Sequence, residues 1–201
     1  GQLTATGKTQ IAGDGVAIDL QTADRSVSFS GTTTSTADQT DLTMDLVQGD
    51  ITLAGKTTMT AKSDVIAMID QTGDISASGV TVITATDDNV MLSTQIGDMS
   101  FRDKSTITSG TDTVILINEG DLSTQAATTV TAGNDIRATL LDGFVRFSDR
   151  TILDAQRNVV IAARNGLTGS ELSAMHGANV NVIITEGAVT MLNSALVDAD
   201  D

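Results

Sequence analysis

Apolar residues return along this chain at fixed intervals, with polar residues alternating between them. Taking Gly1 as position 1 of a first coil, later coils open at Arg25, Gly49, Gly73, Gly97, Gly120, Gly143, Asn165 and Gly187. Position 3 then reads Leu3, Val27, Ile51, Ile75, Met99, Leu122, Val145, Leu167 and Val189. Position 11 reads Ile11, Ser35, Met59, Ile83, Ile107, Val130, Leu153, Met175 and Val197. Position 13 is always small, from Gly13 and Ala37 to Gly177 and Ala199. A third apolar column is read as Val16, Leu42, Val65, Val90, Val114, Ile136, Val159 and Val180. Within each segment the alternation Ile51-x-Leu53 or Val114-x-Leu116 has the period of two that marks a strand with one buried face.

A hydroxyl column keeps the same rhythm. Thr9, Thr33, Thr57, Thr81 and Ser105 are spaced by 24 residues, and Thr128, Thr151, Ser173 and Ala195 follow at intervals of 23 and then 22. A sustained period of this length indicates stacked coils. The expected fold is an all-β parallel β-solenoid, or β-helix, with three short strands per 22–24-residue coil and about eight and a half coils. Residues 1–201 are expected to form a single repeat domain. The hydroxyl column is expected to stack inside a bend. Proline is absent, as suits interior strands that must donate to both neighbours.

Composition narrows the chemistry. Aromatic residues make up 2% of the chain and cysteine is absent. A narrow coil interior filled by aliphatic residues suits the first, and the second removes disulfides, thiolate metal sites and cysteine nucleophiles. The net charge of −15 argues against a nucleic-acid partner and favours a soluble elongated surface. It also fits an exported, cation-rich setting. No apolar run is long enough for a transmembrane helix. The start at Gly1, without methionine, is read as processing or excision from a longer chain.

The candidate chemistry lies on the outside. Outward positions 10 and 12 give Thr34-x-Thr36, Thr58-x-Thr60, Val82-x-Thr84, Thr106-x-Thr108 and Thr129-x-Thr131. This flat TxT array resembles the ice-binding faces of several antifreeze β-solenoids, although threonine is also simply a good strand former. Two acidic ladders are read at the bends. Asp50, Asp74, Asp98 and Asp121 follow corner glycines, and Asp64, Asp88, Asp112 and Asp135 precede the third strand. Turn chemistry accounts for both. The alternative is calcium held among stacked carboxylates, so the cofactor expectation is none, with calcium as the one exception. His176 falls at an outward position without a partner suggested by spacing, and long cleft-forming loops are missing, so no catalysis is expected. Arg137, Arg146, Arg150, Arg157 and Arg164 are read as balancing nearby acids such as Asp142, Asp149 and Asp154, or as an anion-binding patch.

The segments 128–136 (TTVTAGNDI), 154–165 (DAQRNVVIAARN) and 167–182 (LTGSELSAMHGANVNV) resemble the hemagglutinin-type repeats of filamentous-haemagglutinin-like adhesins. That resemblance implies a right-handed β-helix shaft, exported to the surface of a Gram-negative cell, that displays a tip at a distance. It implies a structural role in a surface filament or adhesin shaft, located extracellularly or at the cell surface, with an unidentified receptor. Segments 49–52 and 60–64 are also similar to the trimeric β-helical spikes of phage tails and secretion systems. No capping helix is expected at either end of the rod. Either the piece is cut from a longer shaft, or the terminal coils associate head to tail.

Overall fold

The computed structural model describes residues 2–20, 25–170, 172–193 and 195–199. Every strand among these residues belongs to one of three parallel sheets, and each strand pairs with its counterpart one coil later. The first face runs from Leu3–Ala5 to Ala188–Met191 and the second from Lys8–Gly13 to Leu196–Ala199. The third runs from Val16–Leu20 to Asn179–Ile184. The chain is therefore the expected β-solenoid. Eight inter-coil steps of ~4.8 Å give a rod about 40 Å long.

Alternation along each strand sends one set of side chains inward. The position-3 residues align in register down the first face, as Leu3↔Val27, Ile75↔Ile51 and Ile75↔Met99 illustrate. The position-11 residues do the same on the second face, with Met59, Ile83 and Ile107 all buried. Phe29, Phe101 and Phe147 share one column of the first face. They are separated there by Leu53, Ala77 and Thr124, so a ring sits beside smaller groups within the narrow interior.

The third column departs from the sequence reading at one position. Val90 pairs with Thr113 rather than with Val114, and Thr113 with Ile136. Val114 consequently points outward, while Thr113 is fully buried and its hydroxyl lies 2.9 Å from the Ser109 hydroxyl. The reason is a change in corner length. Between the second and third faces the chain spans residues 86–89 in coil 4 but only 110–112 in coil 5. Coils 2 and 3 have the same period because their connections compensate. Residues 38–41 precede the third-face strand in one and 62–64 in the other. Four residues follow the paired Leu46 before Ile51, and five follow the paired Ile69 before Ile75, the first three of these still within the strand Val65–Thr72.

The corner from the first to the second face does not vary. Its length is constant from Ala5→Thr9 through Phe147→Thr151. The hydroxyl column lies just past this corner and turns inward. Thr57 Oγ1 donates to the Ala54 carbonyl at 3.2 Å, three residues back across the bend, and Thr151 makes the same bond to Ser148 at 3.2 Å. Ser105, Thr128 and Ser173 repeat it. The recurrent hydroxyl is thus a device for satisfying a carbonyl that the turning chain would otherwise strand.

Candidate functional site

With no cleft-forming excursion of the coils described, the candidate surfaces are the three outward faces and the corners between them. On the second face, the structure places all nine predicted threonines outward in two adjacent columns. One reads Thr34, Thr58, Val82, Thr106, Thr129 and the other Thr36, Thr60, Thr84, Thr108, Thr131. All are partly exposed. Spacing is ~4.8 Å between coils and nearly 7 Å along each strand. Beyond coil 6 the columns continue as Ile152, Ala174 and as Asp154, His176. His176 lies with its Nδ1 3.7 Å from Asp198 Oδ2, so the surface position expected for it holds, and a carboxylate stands beside it.

The first acidic ladder forms as read. Asp50 Oδ1 accepts the Asp74 backbone N–H at 3.0 Å, Asp74 accepts that of Asp98 at 2.8 Å, and Asp98 that of Asp121 at 2.8 Å. Asp121 in turn accepts the N–H of Phe144 at 2.9 Å. One oxygen of each carboxylate therefore satisfies the amide of the following coil. With Thr52, Ser76, Ser100 and Ser123 these acids line a groove of about 250 Å³, bounded by Arg102 and Arg146. Arg146 closes its end, bonding Asp121 Oδ2 at 2.7 Å and lying over the Phe144 ring at 4.6 Å.

The second ladder differs from the reading by one member. Asp64 Oδ1 accepts the backbone N–H of Asn89, and Asn89 Oδ1 that of Asp112. Asp112 and Asp135 continue the chain to Asn158. Asp88 lies exposed outside the ladder, displaced by the longer corner of coil 4, and Asn89 stands in its place. Asp41 extends the ladder backwards, its Oδ1 accepting the Asp64 N–H at 3.1 Å. Among the described residues, no group of three or more His, Cys, Asp or Glu side chains is arranged to hold a metal ion.

The arginines pair mostly with acids the sequence did not single out for them. Arg137 bonds both Asp112 and Asp135, the latter buried, and Arg164 bonds Glu186 at 2.7 Å with Asp142 at 3.9 Å. The Glu186 carboxyl is held below its usual range by the hydrogen bond from Arg164.

Two features escaped the sequence reading. Gly7, Gly31, Gly55 and Gly79, at first corners, adopt φ from +74° to +82°, and the same column continues as Asp103, Ala126 and Asp149 at +57° to +61°. The 24-residue glycine spacing was a visible signal, broken where other residues take over. The second feature is the outward side of the third face, where Ile66, Met91 and Val114 stand in register beside Met68, Ser93 and Leu116. Alternating apolar residues in neighbouring strands hid which set pointed out. No helix is present among the described residues, so none is long and apolar enough to cross a membrane. No known protein family, curated protein or solved structure matches the chain.

Proposed function

We propose that this chain is a structural rod, a shaft segment of an exported surface filament related to the hemagglutinin-repeat adhesins. One observation supports this reading most directly: among the described residues, three parallel sheets stack coil upon coil, each strand hydrogen-bonded to its counterpart in the next coil. Such a ladder distributes load over many parallel backbone hydrogen bonds, and stability accumulates through nearest-neighbour interfaces. Its role is mechanical rather than chemical. Head-to-tail association of rods through terminal coils is part of this proposal, since parallel sheets stacked along one axis can be continued by the strands of another copy. Calcium is the proposed bridging ion for the acidic ladders.

Electron microscopy of the purified chain in negative stain, with calcium and with chelator, tests this. Long uniform fibres that shorten in chelator are expected. Isolated short rods in both conditions would refute end-to-end assembly and the calcium dependence together.

A second reading rests on the two threonine columns. Five consecutive coils present hydroxyl and methyl groups at regular spacing on one flat face, which supports ice binding. Replacing Thr58, Thr60, Thr106 and Thr108 by glutamine is then expected to abolish ice shaping while leaving the circular dichroism spectrum intact. The spike reading has less support, because each sheet here is continued by the chain's own next coil. An intertwined trimer in sedimentation experiments would restore it.

A further inference from the structure

The third corner, between the third face of one coil and the first face of the next, changes its chemistry at one step. Position 1 of a coil is glycine at Gly49, Gly73, Gly97, Gly120, Gly143 and Gly187, but it is Asn165 between coils 7 and 8. Gly120 takes φ +144° at its own corner, whereas at Asn165 the corresponding backbone falls one residue later, on Gly166 with φ +142°. That φ favours glycine, and so does the Phe144 ring, 2.6 Å from where a Cβ on Gly166 would stand. The corner therefore joins an exposed asparagine to a required glycine.

This dipeptide carries a reaction of its own. The Gly166 backbone nitrogen, once deprotonated, attacks the Asn165 side-chain carbon Cγ, with no side chain on the attacking residue to obstruct it. An N–Cγ bond forms, the Cγ–Nδ2 bond breaks, and the departing nitrogen takes up protons and leaves as ammonia. Water then adds to either carbonyl of the cyclic imide and opens it to aspartate or isoaspartate. Water is the one co-reactant. The seven other asparagines precede valine, glutamate, aspartate or serine, whose side chains hinder the same approach. Asn89 and Asn158 are also pinned through both amide atoms. Their Nδ2 groups donate to Asp64 and Asp135, and their Oδ1 atoms accept from Thr111 and Asn179. Asn165 is tethered by one bond, from Nδ2 to Asp142 Oδ1 at 3.0 Å.

We propose that Asn165 is a site of spontaneous covalent modification, converted in the folded rod to aspartate and isoaspartate, and that the conversion loosens the coils around it. The tether to Asp142 is the first thing lost. A donor facing a carboxylate becomes a second carboxylate, and attraction across the coil step becomes repulsion. Arg164, the preceding residue, already bonds Glu186 at 2.7 Å and lies 3.9 Å from Asp142. One guanidinium then has three carboxylates to serve. In isoaspartate the Cβ also enters the main chain and lengthens it. The next coil packs directly on this backbone, since a Cβ on Gly187 would meet the Asn165 carbonyl. Backbone bonds on either side report the change: Asn165 N–H to the Gly143 carbonyl at 3.0 Å, and Glu186 N–H to the Arg164 carbonyl at 2.9 Å.

Peptide mapping by mass spectrometry tests the site, after the whole chain is held in warm, mildly alkaline buffer. The mass gain of exchanging NH for O is expected to accumulate at Asn165, as both isomers and faster at higher pH, while the other asparagines stay intact. Asn165→Gln, which would need a larger ring, is expected to abolish it. Hydrogen exchange tests the consequence. The Glu186 amide is expected to lose protection in the converted chain, while the strands of coils 3–5 keep theirs. Asn165→Asp supplies the charge without the lengthened backbone. It is expected to reproduce part of that loss at neutral pH and none in acid, where the carboxylates are protonated. An intact Asn165, or conversion spread evenly over the asparagines, would overturn the site. Unchanged exchange at Glu186 after conversion would overturn the loosening.

Discussion

Coils 1–4 and coils 5–7 build the same first corner from different residues. In the first set a glycine sits at the bend with φ near +75° to +80°, and in the second Asp103, Ala126 and Asp149 hold φ near +60°. An added Cβ at Gly55 would lie 2.5 Å from the Gly31 carbonyl oxygen, so the later coils must open slightly to admit one. The aspartates use their carboxylates in return. Asp103 Oδ2 accepts the Gly79 N–H at 2.9 Å and Asp149 Oδ2 that of Ala126 at 2.8 Å. Ala126 has the unfavourable backbone with no such bond from its own side chain. The corner's length and handedness are thus the fixed requirement, and glycine is only one way of meeting it. The second corner has the opposite character, since its length varies while its Asp/Asn ladder persists.

The sharpest way to break this contrast is to insert one residue. An alanine between Ala54 and Gly55 lengthens a first corner, pulls the Thr57 hydroxyl off its carbonyl and shifts the following strand. A loss of at least ~4 kcal/mol is expected in denaturant titrations. An alanine between Thr111 and Asp112 merely gives coil 5 the corner length of coil 4, and a loss below ~1 kcal/mol is expected. Equal losses would remove the distinction between the corners.

Gly73→Ala comes next. Its φ is +157° and an added Cβ would lie 2.0 Å from the Gly49 carbonyl oxygen, so the stacked backbones must part. About 3 kcal/mol is expected, against about 1–2 kcal/mol for Gly55→Ala, where the later coils already show that a Cβ can be admitted.

The hydroxyl column can be separated into working and idle members. Thr57→Val removes a hydrogen bond and is expected to cost ~1 kcal/mol. Thr81 Oγ1 is buried without a partner, so Thr81→Val is expected to be neutral or stabilising. Ala126→Gly relieves the left-handed backbone at some cost in chain entropy, and a gain of at most ~1 kcal/mol is expected.

The smallest effect concerns Asp45, in the arginine-poor half. A carboxyl raised in the folded state binds its proton more tightly there than in the unfolded chain. Stability from this group therefore rises as pH falls through the raised value, and its charged form is a burden at neutral pH. Asp45→Asn is expected to raise Tm slightly at pH 7, with the gain disappearing below the ordinary carboxyl value of 3.8. A Tm difference that persists in acid would show that the effect is not electrostatic.

Much of the architecture was legible because a solenoid repeats its local chemistry. Alternating Ile51-x-Leu53 and Met59-x-Ala61 placed the inward columns without any knowledge of contacts, and the threonine array and first acidic ladder followed by counting. Counting failed at Val114 and Asp88 because a coil's period adds two variable corners, so equal spacing can conceal a shifted register. It also could not tell which side of the third-face strands was buried, since Val114-x-Leu116 and Ile115-x-Ile117 alternate with equal hydrophobicity.

The sequence by itself determined that this chain coils, how many residues each turn takes and which columns fill most of the interior, because those depend on strand periodicity and repetition. Only the tertiary structure decided the register at the second and third corners, the replacement of Asp88 by Asn89 in the ladder, and the outward exposure of Met91 and Leu116. Those depend on where backbone amides of one coil meet carbonyls and side-chain acceptors of the next, a match across more than twenty residues that no local pattern specifies.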